Sequence, residues 1–145
     1  MMVNQNPQPE IYTTRHSFAA TATQGTIVTT QINTNQAYNE EIRIYGVMVN
    51  MYTNTAAASG DTETTGIDET YDISINAGPN LVPSSKFDAG YIHNTNEKTL
   101  HLSAPILVLH RQPLMVNVEW TGTGSPSAAM VVSVTLLSEM YIQED

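Results

Sequence analysis

The chain has no cysteine, only five lysines and arginines, and no apolar run of membrane-spanning length. Each absence closes off a class of protein. Without cysteine there is no disulfide framework and no thiolate metal site. The few cations, Arg15, Arg43, Lys86, Lys98 and Arg111, are scattered, and fourteen acids bring the formal net charge to −9. A nucleic-acid partner needs a basic face that neutralises phosphates, and an anionic membrane surface needs the same. Neither is expected as a partner. A helical membrane span takes about 20 apolar residues, so membrane insertion is not expected either. The first ten residues, MMVNQNPQPE, lack the basic and apolar regions of a secretory signal. No asparagine stands in a glycosylation sequon.

What is present points to β structure. Charged residues make up 13% of the chain, about half the usual share. Threonine and asparagine take their place, and these favour strands and turns. At 145 residues the chain is of single-domain size and can bury a core without staples. Residues 1–11 read as an extended N-terminal arm and residues 12–145 as one β-sandwich domain.

Strand signals run through that domain. RHSFAATAT and TIVTTQIN flank Gly25 and read as a hairpin. In EIRIYGVMVNMY the apolar parity changes after Tyr45, from Ile42 and Ile44 to Val47, Val49 and Met51. That pattern fits a β-bulge at Tyr45–Gly46, or a strand buried on both faces. YDISINA alternates with Tyr71, Ile73 and Ile75 on one face, and PLMVNVEW does the same with Leu114, Val116, Val118 and Trp120. The segment 78–98 is broken by glycine and proline, with short strands expected near Leu81–Val82 and Tyr91–Ile92. TLHLS and PILVLH read as two strands meeting at Ala104–Pro105. A long closing strand carries Met130, Val132, Val134 and Leu136 in register. No stretch holds a helical period, and no internal repeat is visible. The expectation is all-β: a jelly-roll-like antiparallel β-sandwich of about eight strands.

Candidate chemistry is sparse. SGDTETTGIDETYD, residues 59–72, holds Asp61, Glu63, Asp68, Glu69 and Asp72. Calcium takes six to eight hard oxygens, but the spacing departs from the EF-hand loop. The plainer reading is a solvated loop, and a divalent cation there stays an open alternative. Asp72 alternates with the core residues and should point outward. His93, Glu97 and His101 stand four apart, a spacing that spans about 13 Å in a strand. With His16 and His110 they read as unrelated polar-face histidines rather than a metal site. There is no G-x-S-x-G and no phosphate loop. Glu119, beside Trp120, has the alternating position of a solvent-facing side chain. No catalytic residue, no cofactor and no enzyme activity are expected. Trp120 belongs to the core parity, while Tyr38, Tyr45, Tyr52, Tyr91 and Tyr141 remain candidates for stacking a sugar.

The succession SAPILVLHRQPLMVNVEW, TGTGSPS and AAMVVSVTLLSEMY resembles the last strands of a viral jelly roll, in which a proline-bounded hairpin precedes a long strand that closes beside the first. In layout, residues 12–142 are similar to the single jelly-roll virion structural proteins of bacteriophages: capsid, penton and capsid-decoration subunits. The resemblance implies a structural virion protein, assembled in the host cytoplasm, whose partners are copies of itself and other capsid proteins. It implies a homo-oligomer, trimeric or pentameric. The alternative from the residues is a carbohydrate- or receptor-binding β-sandwich module.

Overall fold

A computed structural model describes residues 2–3, 7–54, 61–63, 71–81, 86–126 and 129–144. In chain order the strands are β1 (Met2–Val3), β2 (Gln8–Phe18), β3 (Ile27–Ile32), β4 (Glu40–Asn54), β5 (Asp61–Glu63), β6 (Tyr71–Ala77), β7 (Asn80–Leu81) and β8 (Phe87–Asp88). The short helix α1 (Ala89–His93) follows, then β9 (Thr99–Val108), β10 (Leu114–Trp120) and β11 (Met130–Glu144). Among the described residues no helix is long and apolar enough to cross a membrane.

The strands form two antiparallel sheets packed face to face. In sheet I the rows run β2, β11, β4, β9, with β5 adding to β4 and β1 to the far end of β11. In sheet II they run β3, β10, β6, and then β7 and β8. Consecutive long strands mostly change sheet, and the last strand lies between the first and the third. This is the order of a jelly roll. The sandwich is therefore all-β, as the strand periodicities require, and β11 pairs with both β2 and β4 along most of its length.

Alternation places the core. Val47, Val49 and Met51 of β4 and Val132, Val134 and Leu136 of β11 face Ile73 and Ile75 of β6 and Val116 and Val118 of β10, all fully buried. Tyr71 sits between Phe18 and Trp120 with ring centroids 5.0 Å from each. Edge-to-face and tilted pairs of this kind add about 1 kcal/mol each beyond area burial. The indole of Trp120 donates to the carbonyl of Gly124 at 2.8 Å. Gly122 lies so close that a Cβ there would meet the ring at 2.4 Å. The TGTG loop thus needs its first glycine to lie over Trp120.

The parity change in β4 is a bulge. Gly46 pairs with Leu137 and Ile44 with Ser138, so Tyr45 has no partner on β11. On the other side Ile44 pairs with Ile106 and Gly46 with His101, so residues 102–105 of β9 oppose Tyr45 alone. Pro105 falls in this interruption on an outer row, where no ladder bond is asked of it.

Three local expectations are corrected. The segments around Gly25 do not form a hairpin. β2 belongs to sheet I and β3 to sheet II, and Gly25 is tied to β10 through its N–H to the carbonyl of Trp120 at 2.8 Å. Tyr91–Ile92 lie in α1, not in a strand; Asp88 caps that helix by accepting from the N–H groups of Gly90 and Tyr91. TLHLS and PILVLH are one strand, β9, with its irregularity inside. The extended segment 1–11 enters the sandwich early, since β2 starts at Gln8 opposite Met140.

Candidate functional site

Of the five acids in residues 59–72, the structure describes the strand positions of three. Asp68 and Glu69 lie outside the described residues. The backbones of Asp61 and Glu63 pair with Asn54 and Tyr52 of sheet I, whereas Asp72 is on the outer face of sheet II. There it is the centre of a row across three strands, with Glu119 of β10 on one side and Asp88 of β8 on the other. Burial, then the charges of Asp88 and Glu119, raise the Asp72 carboxyl above its ordinary value, while Lys86 acts the other way. Lys86 pairs with Glu119 at 2.5 Å. Asp88 is committed to capping α1. Among the described residues no group of three histidine or carboxylate side chains has a metal-binding arrangement.

The histidines occupy four separate environments, and two overturn the polar-face expectation. His16 is fully buried between the sheets. Its Nδ1 lies 3.0 Å from the carbonyl of Val28, which can only accept, so Nδ1 carries the proton. Nε2 then accepts from the Thr14 hydroxyl at 2.8 Å. Burial lowers the His16 pKa, and the bond to Val28 opposes that only in part. His93 is also fully buried, with Nδ1 accepting from the backbone N–H of Met51 at 3.1 Å. His101 is exposed and 3.1 Å from Glu97. His110 donates through Nδ1 to the carbonyl of Gln36 at 2.9 Å. Inward-facing polar residues flanked by Ser17 and Arg15 gave no periodic warning that His16 is core.

Two surfaces stand out. The outer face of sheet I carries arginine stacked on tyrosine: Arg15 over Tyr52 at 5.5 Å and Arg43 over Tyr141 at 4.1 Å. Arg43 also pairs with the buried Glu41 at 2.7 Å. Around them Ile11, Tyr45 and Leu107 are 65%, 42% and 47% exposed. The double irregularity at Tyr45 and Pro105 opens a hollow of about 200 Å³ there, lined by Arg43, Tyr45, Leu102, Pro105, Glu139 and Tyr141.

The second surface is a groove of about 620 Å³ at one end of the sandwich, between the β3–β4 connection and the β9–β10 turn. Arg111 is the third residue of that turn, closed by the bond from the N–H of Gln112 to the carbonyl of Leu109 at 3.0 Å. Its φ of 67° is left-handed, the geometry of a type II turn that glycine ordinarily fills. Asn35, across the groove, has φ 54° and donates its N–H to the side chain of Asn33. Gln36 braces the connection by donating to the carbonyls of Glu40 and Val108. Nothing in the periodicity marks this groove; the signal was the arginine and asparagine at turn positions suited to glycine.

No protein-family model matches this chain, and no curated protein matches it in sequence.

Proposed function

We propose that this protein is a structural virion subunit, a capsid or capsid-decoration protein of a bacteriophage, that works by self-assembly and lattice contacts. The observation that carries the reading is the outer face of sheet I. It joins exposed Ile11, Tyr45 and Leu107 to two arginine–tyrosine stacks and a hollow, on a protein with few charged side chains. Buried aromatic residues and arginine are the residue types that carry binding energy at protein interfaces. The jelly-roll order supports the reading only as a fold analogy, because that architecture also serves lectins and cupins. The core between the sheets is filled by apolar side chains, which suits a building block whose work is done on its surface.

On this reading a second copy covers the face of sheet I. The test is molar mass in solution by light scattering across a concentration series, with and without EDTA. A mass that is a multiple of 15.9 kDa, unchanged by EDTA, supports assembly through protein contacts. A monomer at every concentration counts against it.

A further inference from the structure

The protein has five cationic side chains, and four are engaged within the fold. Arg15 stacks on Tyr52, Arg43 on Tyr141 and Glu41, Lys86 pairs with Glu119, and Lys98 donates to the carbonyl of His93 at 2.8 Å. Among the described residues Arg111 alone has no side-chain partner. In a chain of net charge −9 a cation has many acids to choose from, yet this one lies on a groove that no carboxylate lines. It also sits on a left-handed backbone that costs a non-glycine residue energy. An unpaired arginine kept at a strained position, facing an open groove, is the arrangement of a preformed anion site.

We propose that this groove binds a carboxylated saccharide, with Arg111 taking the carboxylate and neighbouring amides taking hydroxyls. The groove volume falls in the range of small-ligand sites. The rest of the wall selects the ligand class. Among the described residues the side-chain amides of Gln31 and the Nδ2 and Nε2 groups of Asn33 and Gln112 have no hydrogen-bond partner, so neutral donors surround the one cation. His110 has already used Nδ1 on the carbonyl of Gln36, which leaves Nε2 for a hydroxyl. A polyphosphate or nucleic acid asks for several cations and a metal for carboxylates; neither is offered. Free amide N–H donors suit the hydroxyl oxygens of a sugar ring.

The test is titration of the isotope-labelled full chain by NMR with N-acetylneuraminic acid, galacturonic acid, galactose and inorganic phosphate. The expected result is millimolar-range binding of the two sugar acids, shifting resonances of residues 31–36 and 110–112. Galactose and phosphate should bind at least about tenfold more weakly, and Arg111→Gln should weaken the sugar acids by about tenfold or more, the worth of one charge-assisted contact. Arg111→Gly controls for folding: it relieves the turn, so it should raise Tm while losing the same binding. The proposal is overturned if neither sugar acid shifts these residues up to about 50 mM. It is equally overturned if galactose or phosphate binds as well, or if Arg111→Gln binds like the parent. This site is separate from the assembly face, so the titration and the molar-mass measurement fail independently.

Discussion

The two outer faces of the sandwich are built from equivalent strands and differ in their balance of side chains. On sheet II most outward positions are polar or acidic, with Ile27, 54% exposed beside Glu119, and Met115 as the apolar ones. Asn117 accepts from Thr29 and donates to Asn76, both at 2.7 Å, beside the row of Glu119, Asp72 and Asp88. On sheet I the same kind of positions hold Ile11, Tyr45, Leu107 and the stacked Arg15 and Arg43. A solvated sheet face needs only hydrogen-bonding side chains. A face of tyrosine, leucine and arginine gives up apolar area to water unless something covers it. On the proposed function, the contrast separates a surface finished within the monomer from one that a neighbour would complete.

The largest effect on the monomer should come from the apolar face. Arg43→Ala removes the stack on Tyr141 and strands the buried Glu41 without its partner, a loss of about 2 kcal/mol in chemical denaturation at neutral pH. If stability is unchanged, Arg43 belongs to the interface alone and contributes nothing to the single chain.

The next effect lies in the seam between the sheets. His16 is held neutral, with a pKa below its ordinary 6.5 because of burial. The unfolded chain therefore takes up a proton first as pH falls, and stability is full above about pH 6.5 and declines toward the lowered folded value. Thermal melts between pH 7.5 and 5 should show that decline, and His16→Gln should flatten the His16 contribution. Equal slopes in both proteins would remove His16 from the account.

The smallest effect belongs to the acidic face and has the opposite sign. Asp72 has a raised carboxyl pKa, so its charged form is disfavoured in the folded protein. Stability falls as pH rises from the unfolded value of 3.8 through the folded one. Asp72→Asn should accordingly stabilise the protein at pH 7, by less than about 1 kcal/mol since the site is partly exposed, and should lose that gain below pH 3.8. A destabilised variant at pH 7 would mean that the carboxylate row is held by favourable contacts.

Much of this architecture is legible in the residues because strands with one buried face must alternate. β6 and β10 show it directly, and the bulge at Tyr45 is visible because it moves the apolar residues of β4 from even to odd positions. The crossing at Gly25 was hidden because glycine between two strand signals reads the same whether the chain reverses within a sheet or passes to the other. α1 is five residues long, too short for a period, and only Asp88 before Ala89 hints at its cap. The buried His16 and His93 escaped because one ring nitrogen of each meets a backbone group, of Val28 and Met51, which leaves no mark in side-chain pattern. The groove with Arg111 escaped because two loops 70 or more residues apart build it.

The central claim is that the face of sheet I is an interface between copies, and one measurement addresses it most directly. Light scattering after size exclusion should be run on the parent, on Tyr45→Glu with Leu107→Glu, and on Thr29→Glu from the opposite face. The account predicts a parent and a Thr29→Glu protein at the same multiple of 15.9 kDa, and the double variant folded at the monomer mass. A parent that is monomeric throughout, or a double variant that keeps the parent's assembly, would contradict it.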